Sequence, residues 1–135
     1  GLGIVKGFRL QRGAVATTIA HDSHNIICIG TNDEDMDKVI QELQLIGGGI
    51  AIAIDGKITA SLSLPVAGLM TIESPQQLNE DYGELLKGLY KLGITDAFSP
   101  LLTLSFLALP VIPSLKLTNQ GLFDVETFTF VNVSI

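Results

Sequence analysis

The chain has 135 residues, 47% of them hydrophobic and 16% charged, with a net charge of −6 and a pI of about 4.6. That length suits one domain with its own core, and the acidic balance excludes a nucleic-acid-binding role, which needs a basic face. A mean hydropathy of +0.45 is high for a small free-standing domain and points to apolar surface covered from outside the chain.

Cys28 is the only cysteine. One thiol excludes an internal disulfide framework and suits a reducing compartment, so a cytoplasmic location is expected. There is no signal peptide, and the start at Gly1-Leu2-Gly3 reads as the interior of a longer protein.

Taken in order, residues 1–10 alternate weakly through Ile4, Val5, Phe8 and Leu10, which predicts a first strand closed by a turn at Gln11-Arg12-Gly13. Residues 14–20 predict a second strand. Ile26–Ile29 is continuously apolar and predicts a short strand covered on both faces, with Cys28 buried and inert inside it. Thr31 and Glu34 match a capping box at the start of a helix. The acidic residues Asp33, Glu34 and Asp35 fall in its first turn, where the helix dipole favours negative charge. Met36, Val39, Ile40, Leu43 and Ile46 form one apolar stripe, and Gly47-Gly48-Gly49 ends the helix. The glycine run follows a helix and leads into a strand, the reverse of a phosphate-binding order.

Between Ile50 and Leu64, two β-rich runs are joined by Asp55-Gly56, the signature of a hairpin with a type I′ turn. Val66–Met70 is a small-residue connector suited to burial. Ser74-Pro75-Gln76-Gln77 is a second capping box with proline in the first helical position. The helix it opens carries Leu78, Tyr82, Leu85, Leu86 and Leu89, and ends at Gly93. Gly83 and Gly88 weaken that helix, so it depends on packing or marks a close approach by another element. No charged residue occurs from Ala97 to Leu115, but Pro100, Pro110 and Pro113 interrupt the run. A buried helix over Leu101–Leu109 is expected there, and no membrane span. Residues 115–122 predict an extended piece and a turn, and 123–133 a closing strand.

The elements add up to a single α/β (or α+β) domain over residues 1–135. It is mainly β sheet with the Ile50–Leu64 hairpin, covered by two or three helices. Both main helices are expected on one face.

The cluster His21, Asp22, Ser23, His24 and Asn25 sits between two apolar strands and holds both histidines of the chain. It has two readings. Asp, Ser and Asn are turn formers whose side chains bond nearby backbone, or the corner faces something that needs polar contacts. It does not build a metal site unaided, because two imidazoles fall short of the four ligands of a closed zinc centre.

Residues 12–27, continued by Gly30–Met36, resemble the C-terminal domain of bacterial adenine deaminases. Gly47-Gly48-Gly49 with the hairpin that follows it, residues 64–70, residues 102–113 and residues 121–125 are similar to the same family in the same order, and together they cover nearly the whole chain. The resemblance implies a large metal-dependent amidohydrolase that converts adenine to hypoxanthine and ammonia. It implies a binuclear manganese or iron centre in a barrel domain that this chain lacks, and a homo-oligomer. The partner implied for the present chain is that catalytic barrel, and the His21–Asn25 corner is expected to face the active-site mouth. The fragment alone is expected to be inactive. A purely structural or oligomerisation module is the alternative.

Overall fold

The computed structural model describes residues 1–95 and 98–133. Asp96, Ala97, Ser134 and Ile135 lie outside the described residues, including the start of the uncharged run and the end of the predicted domain. A four-stranded antiparallel sheet has the order β2-β1-β3-β4, with β1 at Ala14–Thr17, β2 at Ile27–Gly30, β3 at Gly49–Ile54 and β4 at Lys57–Ser63. Helix α1 spans Asp33–Leu45, α2 spans Pro75–Lys91 and α3 spans Pro100–Phe106. A second antiparallel sheet holds β5 (Leu115–Thr118), β6 (Gly121–Asp124) and β7 (Thr129–Val131) in sequence order.

The central strands β1 and β3 are largely apolar on both faces, and the helices divide between them. Ala14, Ala16, Ala51 and Ala53 face α1 and pack against its Val39 and Leu43. Val15, Ile50, Ile52, Ile54 and Leu62 face the other way, toward Leu85, Leu89 and Leu92 of the α2 region and Leu104 of α3. Strand side chains alternate between faces, so Gly-Ile-Ala-Ile-Ala-Ile in β3 builds a large-residue face and a small-residue face at once. The expectation that both helices share one face is therefore corrected: α1 and α2 lie on opposite sides.

Residues 1–10 form no strand. Gly7 (φ 114°) and Arg9 (φ 59°) leave the extended region, and the segment instead lays Phe8 into the α2 side of the core, edge-on to Phe98 at 5.5 Å. Strand β2 is not covered on both faces. It is the edge strand, and only Ile27 of its four residues is buried. The 66–70 connector is exposed at Val66, Ala67 and Met70, with Gly68 alone buried. The helix expected over Leu101–Leu109 stops at Phe106, and its Leu102 and Thr103 are exposed. The closing strand divides into β6 and β7, because Asp124 Oδ1 accepts the N–H groups of Glu126 and Thr127 at 2.8 and 3.2 Å and turns the chain.

Other expectations hold. Asp55 and Gly56 both have positive φ (54° and 72°), as a type I′ turn requires. Ser74 Oγ accepts the Gln77 N–H at 3.2 Å, and Pro75 opens α2. The cap of α1 is displaced by one residue: Asn32, not Thr31, accepts the Asp35 N–H. Thr31 is already engaged, since its N–H and its hydroxyl both donate to the Gly13 carbonyl.

Candidate functional site

The His21–Asn25 corner lies in the connection between the end of β1 and the start of β2. As β1 ends, Thr17 Oγ1 accepts the Ile19 N–H at 3.0 Å, and buried Ala20 anchors the turn. The His24 N–H donates to the Ala20 carbonyl at 2.6 Å, while His24 Nδ1 accepts the Ala20 N–H at 3.3 Å. That pair of bonds holds His24 at a left-handed φ of 52°. An acceptor at Nδ1 places the proton of the neutral ring on Nε2, so the ring carries its remaining N–H on Nε2.

His21 is tied to α3. Its N–H donates to the Ser105 carbonyl at 3.1 Å, and its ring stacks on Phe106 with centroids 5.1 Å apart and planes at 24°. The two imidazoles meet edge to face at 5.4 Å. The peptide between His21 and Asp22 is cis. Asn25 Nδ2 donates to Ser23 Oγ at 3.1 Å, and Asp22, Ser23 and Asn25 are all exposed.

All five sequence-predicted residues are brought together, but in two parts. Both histidines are half-buried and turned into the protein's own contacts. Asp22, Ser23 and Asn25 line one end of a groove of about 950 Å³ that runs along the exposed edge of β2. Gly1–Val5 and Leu117–Asn119 line it too, and Met36 and Ile40 of α1 flank the strand. Sequence reasoning missed this groove and missed Ser105 and Phe106 as partners of His21. The uncharged, half-exposed β2 run between two polar segments was the available signal for an edge.

Cys28 is half-buried rather than fully buried as expected, and loss of solvent around its thiol still pushes it up to about 12. It packs with the alanine face and α1, as a protonated, apolar-like group. The donor set does not fit a metal centre. His24 Nδ1 is taken by a backbone N–H, and among the described residues no three His, Cys, Asp or Glu side chains converge. The binuclear manganese or iron centre implied by the resemblance finds no ligand set here.

A profile of the adenine deaminase C-terminal domain matches residues 1–129. The chain belongs to the adenine deaminase C-terminal domain family. It is 53% identical over 135 residues to an adenine deaminase of Halalkalibacterium halodurans, covering 100% of this chain and 23% of that protein. It is 52% identical over 133 residues to one from Bacillus subtilis, covering 98% and 23% respectively. Against one from Nitratidesulfovibrio vulgaris the identity is 50% over 136 residues, covering 100% and 24%. The chain thus spans about a quarter of the length of these relatives.

The family's motifs quoted from the sequence fall on contiguous structural units. They are the β1–corner–β2 unit, the start of α1, the β3–β4 hairpin, and α3 with the turn after it. Among the described residues no helix is long and apolar enough to cross a membrane.

Proposed function

We propose that this chain is the C-terminal accessory domain of an adenine deaminase. The whole enzyme adds water at the adenine carbon bearing the amino group and releases ammonia, leaving hypoxanthine. The observation that carries this reading is the half-identity to proteins named adenine deaminase along the full length of the chain. Among the described residues no metal-ligating set converges, and in this reading the manganese or iron centre is held by the catalytic barrel. The setting is bacterial purine salvage in the cytoplasm, in a homo-oligomer.

The domain's own work in this reading is to pack on the barrel and shape the mouth of its active site. The corner supplies exposed polar side chains (Asp22, Ser23, Asn25) on a backbone fixed by the His24–Ala20 and His21–Ser105 bonds. Fixed polar groups at a cleft edge orient a substrate and help exclude water.

A second reading has its own observation. Ile72, Val111 and Phe128 are large apolar residues at 75%, 71% and 79% exposure. Surface of that kind suits an assembly module with no part in chemistry.

The test is a deaminase assay with manganese and adenine, on the separately expressed barrel, on this domain, and on the two mixed. Activity that appears or rises only in the mixture upholds the accessory reading. An active, folded barrel indifferent to the domain leaves packing or assembly as its role. Turnover by this domain alone overturns both.

A further inference from the structure

We infer that the open edge of β2 seats an extended segment of the polypeptide preceding this domain, which adds a fifth strand to the four-stranded sheet. The inference rests on the reading of this chain as the C-terminal part of a longer enzyme.

Backbone polarity is the first support. The Thr31 N–H donates to the Gly13 carbonyl at 3.0 Å, and the Thr18 N–H donates to the Gly49 carbonyl at 2.9 Å. In β1, odd residues therefore bond toward β2 and even residues toward β3. With Val15 opposite Ile29 and Thr17 opposite Ile27, the β2 residues that bond to β1 are Ile27 and Ile29. The alternation of an antiparallel ladder then aims the N–H and C=O of Cys28 and Gly30 outward, away from the sheet.

The groove lies where those groups point. Residues 26–31 line it without a break, so its floor is the strand edge rather than one face of the strand. Met36 and Ile40 rise on the α1 side, and Phe8 and Leu107 on the other. A neighbouring strand would lie about 4.8 Å from β2 and find apolar walls above and below. It is therefore a strand apolar on both faces, not the half-polar strand of a surface hairpin. An edge of this kind left uncovered is an aggregation hazard, which proteins blunt or cover.

The occupant follows from where the rest of the protein lies. The relatives devote all but 23–24% of their length to other residues, and the matched region is their C-terminal domain. The chain enters through Gly1–Val5, which line this same groove. A preceding segment is thus tethered beside the edge, where a short connection gives an effective concentration of order millimolar.

Residue-resolved amide hydrogen exchange on the full-length protein tests this. Ile27 and Ile29 serve as internal standards, since their N–H groups bond to β1. The expected result is that Cys28 and Gly30 exchange as slowly as those standards, about a hundredfold or more below an open edge. Exchange of Cys28 and Gly30 near the unprotected rate overturns the inference. A p-benzoylphenylalanine at Ile26 identifies the occupant by mass spectrometry. A cross-link to residues preceding Gly1 in the same chain upholds the proposal. Cross-links to a second copy, or only within residues 1–135, overturn it. Adenine turnover measured on the same sample keeps the two readings separate. A protected edge without turnover removes the enzyme reading alone, and turnover with an unprotected edge removes this inference alone.

Discussion

The carboxylate of Asp35, in the first turn of α1, accepts the backbone N–H of Gly56 at 2.8 Å and so fastens the helix to the tip of the β3–β4 hairpin. Its second oxygen accepts the Asn32 side-chain amide at 2.7 Å. Asp35 is 2% exposed. Replacing it by Ala leaves the Gly56 N–H without this acceptor, and a hydrogen bond to a charged group contributes roughly 1.5–3 kcal/mol. Urea unfolding of Asp35→Ala is expected to show a loss of that size.

The same carboxylate gives a pH dependence. Burial opposes its ionisation, but the Asn32 amide and the N–H groups of Gly56 and Asp55 outweigh burial and hold it below the usual carboxylate value. Its contribution is therefore fully present above the unfolded-state pKa of about 3.9 and fades as pH falls through the lower folded value. Unfolding followed across that acid range is expected to steepen for the native chain and to flatten for Asp35→Asn.

Two glycines in α2 are predicted to respond to alanine unequally. A Cβ on Gly88 would lie 2.8 Å from Ile52 Cδ1, whereas one on Gly83 meets nothing within 4 Å. Gly83→Ala is expected to raise stability by roughly 0.5–1 kcal/mol through helix propensity. Gly88→Ala is expected to gain less, because the Ile52 Cδ1 methyl must move aside in a packed core and offsets the propensity gain. Thermal unfolding of the two variants side by side checks the pair.

The alanine face is expected to reject volume. Ala51 and Ala53 are 0% exposed beneath α1. Ala51→Leu overpacks that layer and lowers stability by about 1–3 kcal/mol. On the opposite face Leu85→Ala leaves a cavity and lowers it by about 2–5 kcal/mol. Denaturant midpoints distinguish both from a surface substitution, which stays within about 0.5 kcal/mol.

In the full-length enzyme, His24→Ala and Asp22→Asn are expected to lower adenine turnover per folded molecule. Asp22 is exposed and leaves stability unchanged, while His24→Ala frees the Ala20 N–H and removes the edge contact with the His21 ring, a small loss. Steady-state kinetics paired with unfolding curves decide the matter. An unchanged rate with lost folding would assign the corner to structure alone.

Much of the fold was legible because short-range chemistry governs it. Asp55-Gly56, Ser74-Pro75 and the α1 stripe each act within a few residues, and each forms where the spacing indicated. The displaced cap shows the limit: Thr31 and Asn32 are both good caps, and the choice was made by Gly13, whose carbonyl captures Thr31. Likewise the weak alternation of residues 1–10 was overridden by burial of Phe8 against Phe98. The large–small alternation of β3 did carry the two-sided sheet, since a strand with one wet face would have polar residues in place of its alanines. At the corner, the residue set was readable but its division was not. Stacking of His21 on Phe106 depends on a contact between distant segments that no local pattern encodes.

The Thr18 hydroxyl donates to the Gly68 carbonyl at 2.6 Å and accepts the Gly49 N–H at 2.8 Å, where three backbone segments converge. A Cβ on Gly48 would come 2.6 Å from the Gly68 Cα, and one on Gly49 would collide with the Leu62 carbonyl. Glycine abundance, 14 residues in 135, is commonly taken as a sign of pliancy. Here several glycines mark its opposite: the tightest crossings of main chain, where the molecule has least slack and where mutational drift should be slowest.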